Sequence, residues 1–282
     1  MSRSLRLADR EIATELPAFV MGIVNATPDS FWASSRTQST AAGAESAFAL
    51  VEAGADIIDI GGESTRPGSD YVSEAEELSR VIPLVREIRR ISSVPISIDT
   101  RKSAVMRAAL DEGADICNDI SALADDPALA DVAASAGIPV ILMHKAGIPA
   151  HMQDAPAYQD VVAEVRAFLC ERAAFAVSKG IAQDRIILDP GIGFGKRQSD
   201  NIALIRGVSI LASTGFPVLM ALSRKSCIGY MTGREVADRL AGTLTANLVS
   251  VLGGASILRV HDVAETRDML AVLKETLPDG IS

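Results

Sequence analysis

Ser223-Arg224-Lys225-Ser226 places two cations between two hydroxyls directly after an apolar run at 216–222, with no acid beside them. Guanidinium, ammonium and hydroxyl donors grouped in this way suit an anion or an electron-rich ring. The same event, an apolar run that delivers a polar group, recurs along the chain. Other runs end at Asn25, at Gly62-Glu63-Ser64-Thr65-Arg66, at Asp99-Thr100-Arg101-Lys102, at Asn118-Asp119, at Met143-His144, at Asp189, and at Arg259 with His261. The starts of these runs carry mostly Pro, Ala, Ser and Asp. A purely structural repeat has no reason for that asymmetry.

Taken singly, each residue also has an ordinary reading. Asp99 or Asp189 could cap the helix that follows, and His261 beside Asp262 could open one. Lys102 and Arg101 are expected to face solvent from a first helical turn. Glu63 fits a satisfied internal acid as well as a catalytic one, and Arg36 fits a solvated loop. Gly191, Gly193 and Gly195 lack the GxGxxG spacing and follow a proline, and GIGFGK is too short for a GxxxxGK phosphate loop.

The runs predict strands at 19–24, 56–60, 95–98, 115–117, 139–143, 185–188, 217–222 and 256–260, alternating with amphipathic helical patterns. Ser73 and Glu76 form a capping box ahead of EELSRVIPLVREIRR, and Asp126-Pro127 fits an N-cap and first-turn pair. Gly54, Gly113, Gly137, Gly180 and Gly215 mark helix ends before the next strand. Eight such units in about 250 residues match an α/β fold of the (β/α)₈ TIM barrel type, whose strand ends converge on one mouth. A doubly wound open sheet is the rival. Long connections at 26–39, 61–72 and 144–157 read as lids or binding loops. No linker divides the chain, so the expectation is a single domain over 1–282, with 1–16 as an N-terminal extension.

Lys and Arg total 27 against 36 Asp and Glu, a net charge of -9, which disfavours nucleic acid and anionic membranes as partners. No apolar run approaches the roughly 20 residues of a spanning helix, and MSRSLRLADREIATEL mixes acids with bases and lacks a signal-peptide core. Cys117, Cys170 and Cys227 show no CxxC or Cys/His pairing and read as small hydrophobes in a reducing cytoplasm.

The phrases MGIVNATPDSF, ADIIDIGGESTRPGS, ISIDTRK, NDISA, ILDPGIGFGK, LMALSRKSCIG and LRVHDV together resemble the dihydropteroate synthase family of pterin-binding enzymes. The resemblance implies a cytoplasmic transferase of folate synthesis, a sulfonamide target, usually a homodimer and assisted by Mg²⁺. It joins 4-aminobenzoate to 6-hydroxymethyl-7,8-dihydropterin diphosphate. It also implies a pterin pocket of Asp99, Asn118, Asp189 and Lys225 under Arg259, with Asp99, Lys225 and Arg259 as the catalytic set. Thr65, Arg66, Arg259 and His261 would build the anion site, with Asn25 at the metal and leaving group. Phe194 and Ser226 would complete the substrate contacts, Ser226 where aminobenzoate or a sulfonamide mimic lies. Carbon–oxygen cleavage would precede amine attack, so preorganised electrostatics replaces a covalent nucleophile. Trp32-Ala33-Ser34-Ser35 departs from the family's Ser-Asp-Gly-Gly, Cys227 replaces a common aromatic, and MHKAGIP stands where Met-Gln often follows the histidine. The alternatives are a pterin-binding paralogue without synthase activity and a methyltetrahydrofolate methyltransferase; an aldolase built on Lys225 lacks a visible cause for desolvating that amine.

Overall fold

The computed structural model describes residues 3–26, 36–64, 69, 71–147, 152–153 and 156–277, the backbone alone for 36–39. A hairpin of β1 (Arg3–Arg6) and β2 (Glu11–Thr14) comes first, ahead of any strand the sequence pattern marks. There follow β3 (Phe19–Asn25), α1 (Arg36–Glu52), β4 (Ile57–Gly61), α2 (Glu74–Ile91), β5 (Ile96–Asp99), α3 (Ser103–Asp111), β6 (Ile116–Asp119), α4 (Ala128–Ala136) and β7 (Val140–Met143). The second half adds α5 (Val161–Ser178), β8 (Ile186–Asp189), α6 (Gln198–Arg206), α7 (Val208–Ala212), β9 (Leu219–Met220), α8 (Ser226–Thr232), α9 (Leu240–Leu252), β10 (Ile257–Val260) and α10 (Val263–Thr276).

The strands β3 to β10 form one parallel sheet in the order β8-β7-β6-β5-β4-β3-β10-β9, and a parallel bridge between Leu188 and Val218 closes it into a barrel. The expected strand at 217–222 contracts to Leu219–Met220 plus that bridge. Pro217 has no N–H to donate to a ladder, so it contributes only its carbonyl, which accepts from the Leu188 amide at 2.9 Å.

Two-residue alternation decides what faces the barrel axis. Met21, Ile57, Ile116, Ile141, Ile187, Leu219 and Ile257 meet in one buried cluster inside the barrel, whereas Ile58, Ile60, Ile98, Val140, Leu142 and Leu188 belong to the layer under the helices. Leu5 and Leu7 of the hairpin join the inner cluster and plug its floor. Two positions further up, the same inward faces carry Asp59 above Ile57, Asn118 above Ile116, Asp189 above Ile187 and Arg259 above Ile257. An apolar plug thus supports a polar tier at the C-terminal ends of the strands.

The helix-start signals are met in part, since the Glu76 carboxylate pairs with Arg80 and Pro127 takes the N-cap position of α4. Ser73 accepts from the Glu76 amide at the start of α2, and the Asp126 carboxylate accepts from the Ala128 amide before α4. Gly54, Gly113, Gly137, Gly180 and Gly215 all adopt positive φ at helix ends, where a side chain would be strained.

Candidate active site

The polar tier opens into a cavity of about 640 Å³. Among the described residues, every side chain expected at the site lines it: Asn25, Asp99, Asn118, Asp189, Phe194, Lys225, Ser226, Arg259 and His261. Glu63, Ser64, Met152 and Arg224 share the wall. Thr65 and Arg66 lie outside the described residues, as do Phe31 and Pro67, expected to help wall the aminobenzoate, and the Trp32-Ala33-Ser34-Ser35 departure.

Asp59 organises the floor. It is fully buried, accepts from Arg259 Nε at 2.6 Å, and accepts from Asn118 Nδ2 at 3.3 Å on each carboxylate oxygen. The other arm of Arg259 reaches Asp99 at 3.2 Å. The guanidinium is therefore pinned between acids from β4 and β5, and Asn118 is turned so that its amide oxygen remains available. Burial raises the Asp99 carboxyl, the neighbouring Asp59 pushes in the same direction, and Arg259 opposes both. Sequence reading passed over Asp59 as part of an apolar run. Its signal was positional, a charged residue in phase with inward Ile57.

Asp189 and Lys225 form the other side. Asp189 accepts from the Gly191 amide at 2.7 Å, and burial raises its carboxyl while the Lys225 charge pulls it back down. Lys225 Nζ donates to the Ile192 carbonyl at 2.6 Å and lies 5.0 Å from the Phe194 ring centre. Burial brings its ammonium down to about 8, against the pull of Asp189. It remains mostly charged at neutral pH and sits close to releasing its proton.

The loop carrying Ile192 and Phe194 is docked through glycine and a buried lysine. A Cβ on Gly191 would fall 1.9 Å from the His144 carbonyl oxygen, and its φ is +66°. Only glycine fits there. Lys196, almost fully buried, donates to the His144 and Phe194 carbonyls at 3.3 and 3.0 Å and meets His144 Nδ1 at 2.9 Å. Burial and the nearby Lys196 charge hold the His144 ring neutral, its value brought down to about 3, so Nδ1 is the acceptor. Burial likewise brings the Lys196 amine down to about 7. His144 therefore acts behind the wall, and Met143 is the residue of that strand end that lines the cavity.

Two expectations are corrected here. Arg101 and Lys102 do not face solvent. Lys102 Nζ is enclosed by Glu63, at 2.8 Å, and by Glu77 of α2, while Arg101 reaches Glu63 at 3.3 Å and covers the Tyr71 ring at 3.5 Å. The cause is α2, which brings the almost fully buried Glu77 against the first turn of α3. Glu63 consequently serves as an internal paired acid while also lining the cavity; its carboxylate accepts from the Val72 amide at 3.1 Å. The acid apparently missing beside Ser223-Arg224-Lys225-Ser226 comes from the next strand end, where Arg224 Nε donates to Asp262 at 3.0 Å.

The family model for pterin binding enzymes matches residues 21–261. Over 282 aligned positions, the chain is 49% identical to dihydropteroate synthase of Neisseria meningitidis serogroup B, covering 96% of this chain and 97% of that protein. It superimposes on Xanthomonas albilineans dihydropteroate synthase with 4-aminobenzoic acid at a TM-score of 0.91 and 45% identity, covering 99% of this chain and 100% of the other. The same organism's enzyme in complex with 7,8-dihydropteroate gives a TM-score of 0.87 at 42% identity, covering 98% and 100%. This chain belongs to the dihydropteroate synthase family. It is a transferase on a TIM barrel.

Proposed function

We propose that this cavity condenses 6-hydroxymethyl-7,8-dihydropterin diphosphate with 4-aminobenzoate. The carbon–oxygen bond to diphosphate breaks, the arylamine nitrogen bonds to the same methylene carbon, and the amine gives up a proton. The observation that carries this reading is the polar tier itself: carboxylates, an amide and two cations from separate strands, all resting on an apolar plug. Asp189 and Asn118 match the donor and acceptor edge of an aminopyrimidinone, and Lys225 can donate to its carbonyl and ring nitrogen. Arg259, held flat by Asp59 and Asp99, offers a planar cation to the heterocycle and to charge developing on the leaving oxygen. His261, Asn25 and Ser226 lie toward the mouth for the diphosphate and aminobenzoate, with Thr65 and Arg66 assigned there on resemblance.

No group of three His, Cys, Asp or Glu side chains able to hold a metal occurs among the described residues. That donor set fits an Mg²⁺ held chiefly by diphosphate and water, with Asn25 as its protein oxygen, because this ion retains waters and needs few protein ligands. When bound, the ion would neutralise charge on the diphosphate. The reading extends to a cytoplasmic homodimer. The exposed apolar side chains Tyr230 and Met231 of α8 and Val249 and Leu252 of α9 offer material for a subunit contact.

Purified protein incubated with the pterin diphosphate, 4-aminobenzoate and magnesium is expected to release diphosphate and 7,8-dihydropteroate in equal amounts. Pterin binding without either product would establish a pterin-binding protein lacking synthase activity.

A further inference from the structure

Among the described residues, Arg224 is one of three other than glycine with positive φ, +57°, and it sits between Ser223 and Lys225 at the cavity wall. A side chain in this left-handed region loses roughly five- to thirty-fold in population against glycine unless its surroundings fix it. Here they do so at three points. The Arg224 amide donates to Thr243 Oγ1 of α9 at 3.1 Å, its carbonyl accepts from Arg239 Nη1 at 3.0 Å, and its guanidinium pairs with both carboxylate oxygens of Asp262. Gly229 leaves the space that Arg239 needs, since a Cβ there would lie 2.3 Å from the Arg239 guanidinium. Asp262 follows His261, whose amide and Nδ1 both meet Ser223 Oγ, at 3.2 and 3.0 Å. The ends of β9 and β10 are thus stitched together by Ser223 with His261 and by Arg224 with Asp262, and each end carries a cation that lines the cavity, Lys225 and Arg259.

We infer that Arg224 is a positioning residue for pterin capture: its pair with Asp262 holds residue 224 in the left-handed turn that aims Lys225 into the cavity. The inference rests on the pterin-binding reading above. Strain at one residue is retained because it sets the direction of the next, and the ion pair supplies the constraint that a glycine would not need. A glycine would allow the turn without enforcing it, and an alanine would meet the steric penalty with no pair to offset it.

The test is the dissociation constant of 6-hydroxymethylpterin at 25 °C, by calorimetry, for wild type, Arg224→Ala, Arg224→Gly and Asp262→Asn, with thermal midpoints recorded in parallel. The expected order is wild type tightest, Arg224→Gly and Asp262→Asn weaker by a few-fold, and Arg224→Ala weaker by about tenfold or more. Equal affinities with lowered midpoints would make the pair a purely structural staple and overturn the inference. Equal losses in Arg224→Ala and Arg224→Gly would also overturn it, because backbone conformation would then not matter. If one variant does not fold, Asp262→Asn still reads the pair from the other side. Wild-type protein that binds the pterin but makes no dihydropteroate would sink the proposed reaction, while the affinity order would continue to test the role of Arg224.

Discussion

At the scale of single residues, the site works by opposed pairs whose charges are set by burial. Lys225 is drawn down to about 8 by desolvation, against the pull of Asp189, so on the proposed reading pterin capture would use an ammonium that begins to discharge just above neutrality. The kcat/KM for the pterin diphosphate is expected to fall as the pH rises through about 8, since deprotonation removes the charge that strengthens the lysine's hydrogen bonds to the ring and favours the anionic substrate. Lys225→Ala should lower kcat/KM about 10- to 100-fold, the worth of a charge-assisted hydrogen bond, and should abolish that alkaline limb. A variant that kept the limb would assign it to another group. That Asn118, Asp189, Lys225 and Arg259 line one cavity was legible in the sequence because each lies at or just past the end of an apolar run. Asp59 was not. Its role comes from register, with Asp59 opposite Ile23 of β3 and Ser97 of β5 while Arg259 arrives 200 positions later in the chain.

At the scale of elements, strands were easier to read than contacts between helices. Strands buried on both faces are largely apolar, so β3 to β8 and β10 appear as short runs within a residue or two of their observed bounds. β9 was overextended because Pro217 looks like a strand start although it cannot donate to a ladder. The expectation for Lys102 failed for a different reason. A lysine in a first helical turn is normally solvated, and only the packing of α2 on α3 encloses this one between Glu63 and Glu77. Lys102→Ala would leave two acids buried against each other, with one Glu77 oxygen already lacking a partner. It is expected to cost about 3–5 kcal/mol of stability, read as a lowered denaturation midpoint, whereas Lys102→Met combined with Glu77→Gln should recover much of the loss. An unchanged midpoint in Lys102→Ala would place the amine in solvent after all.

At the scale of the whole molecule, the barrel separates stability from chemistry along its axis. The hairpin of β1 and β2 closes the floor with Leu5 and Leu7, while the polar tier occupies the opposite end. Nothing before Phe19 was read as a strand, because four-residue strands with alternating charges lack the length to show a period. Leu7 is 1% exposed, so Leu7→Ala is expected to cost about 2–5 kcal/mol in chemical denaturation and to leave both substrate KM values unchanged. A shifted KM would mean that floor and mouth are coupled through the barrel. The central claim is geometric: residues from Asn25 to His261 converge on one heterocycle and its charged tail. A crystal structure of this chain with 7,8-dihydropteroate tests it most directly. The pterin ring is expected between Asn118, Asp189 and Lys225, with Arg259 across its face and the aminobenzoate end toward Ser226. A ring seated away from Asp189 and Lys225 would contradict the assignment.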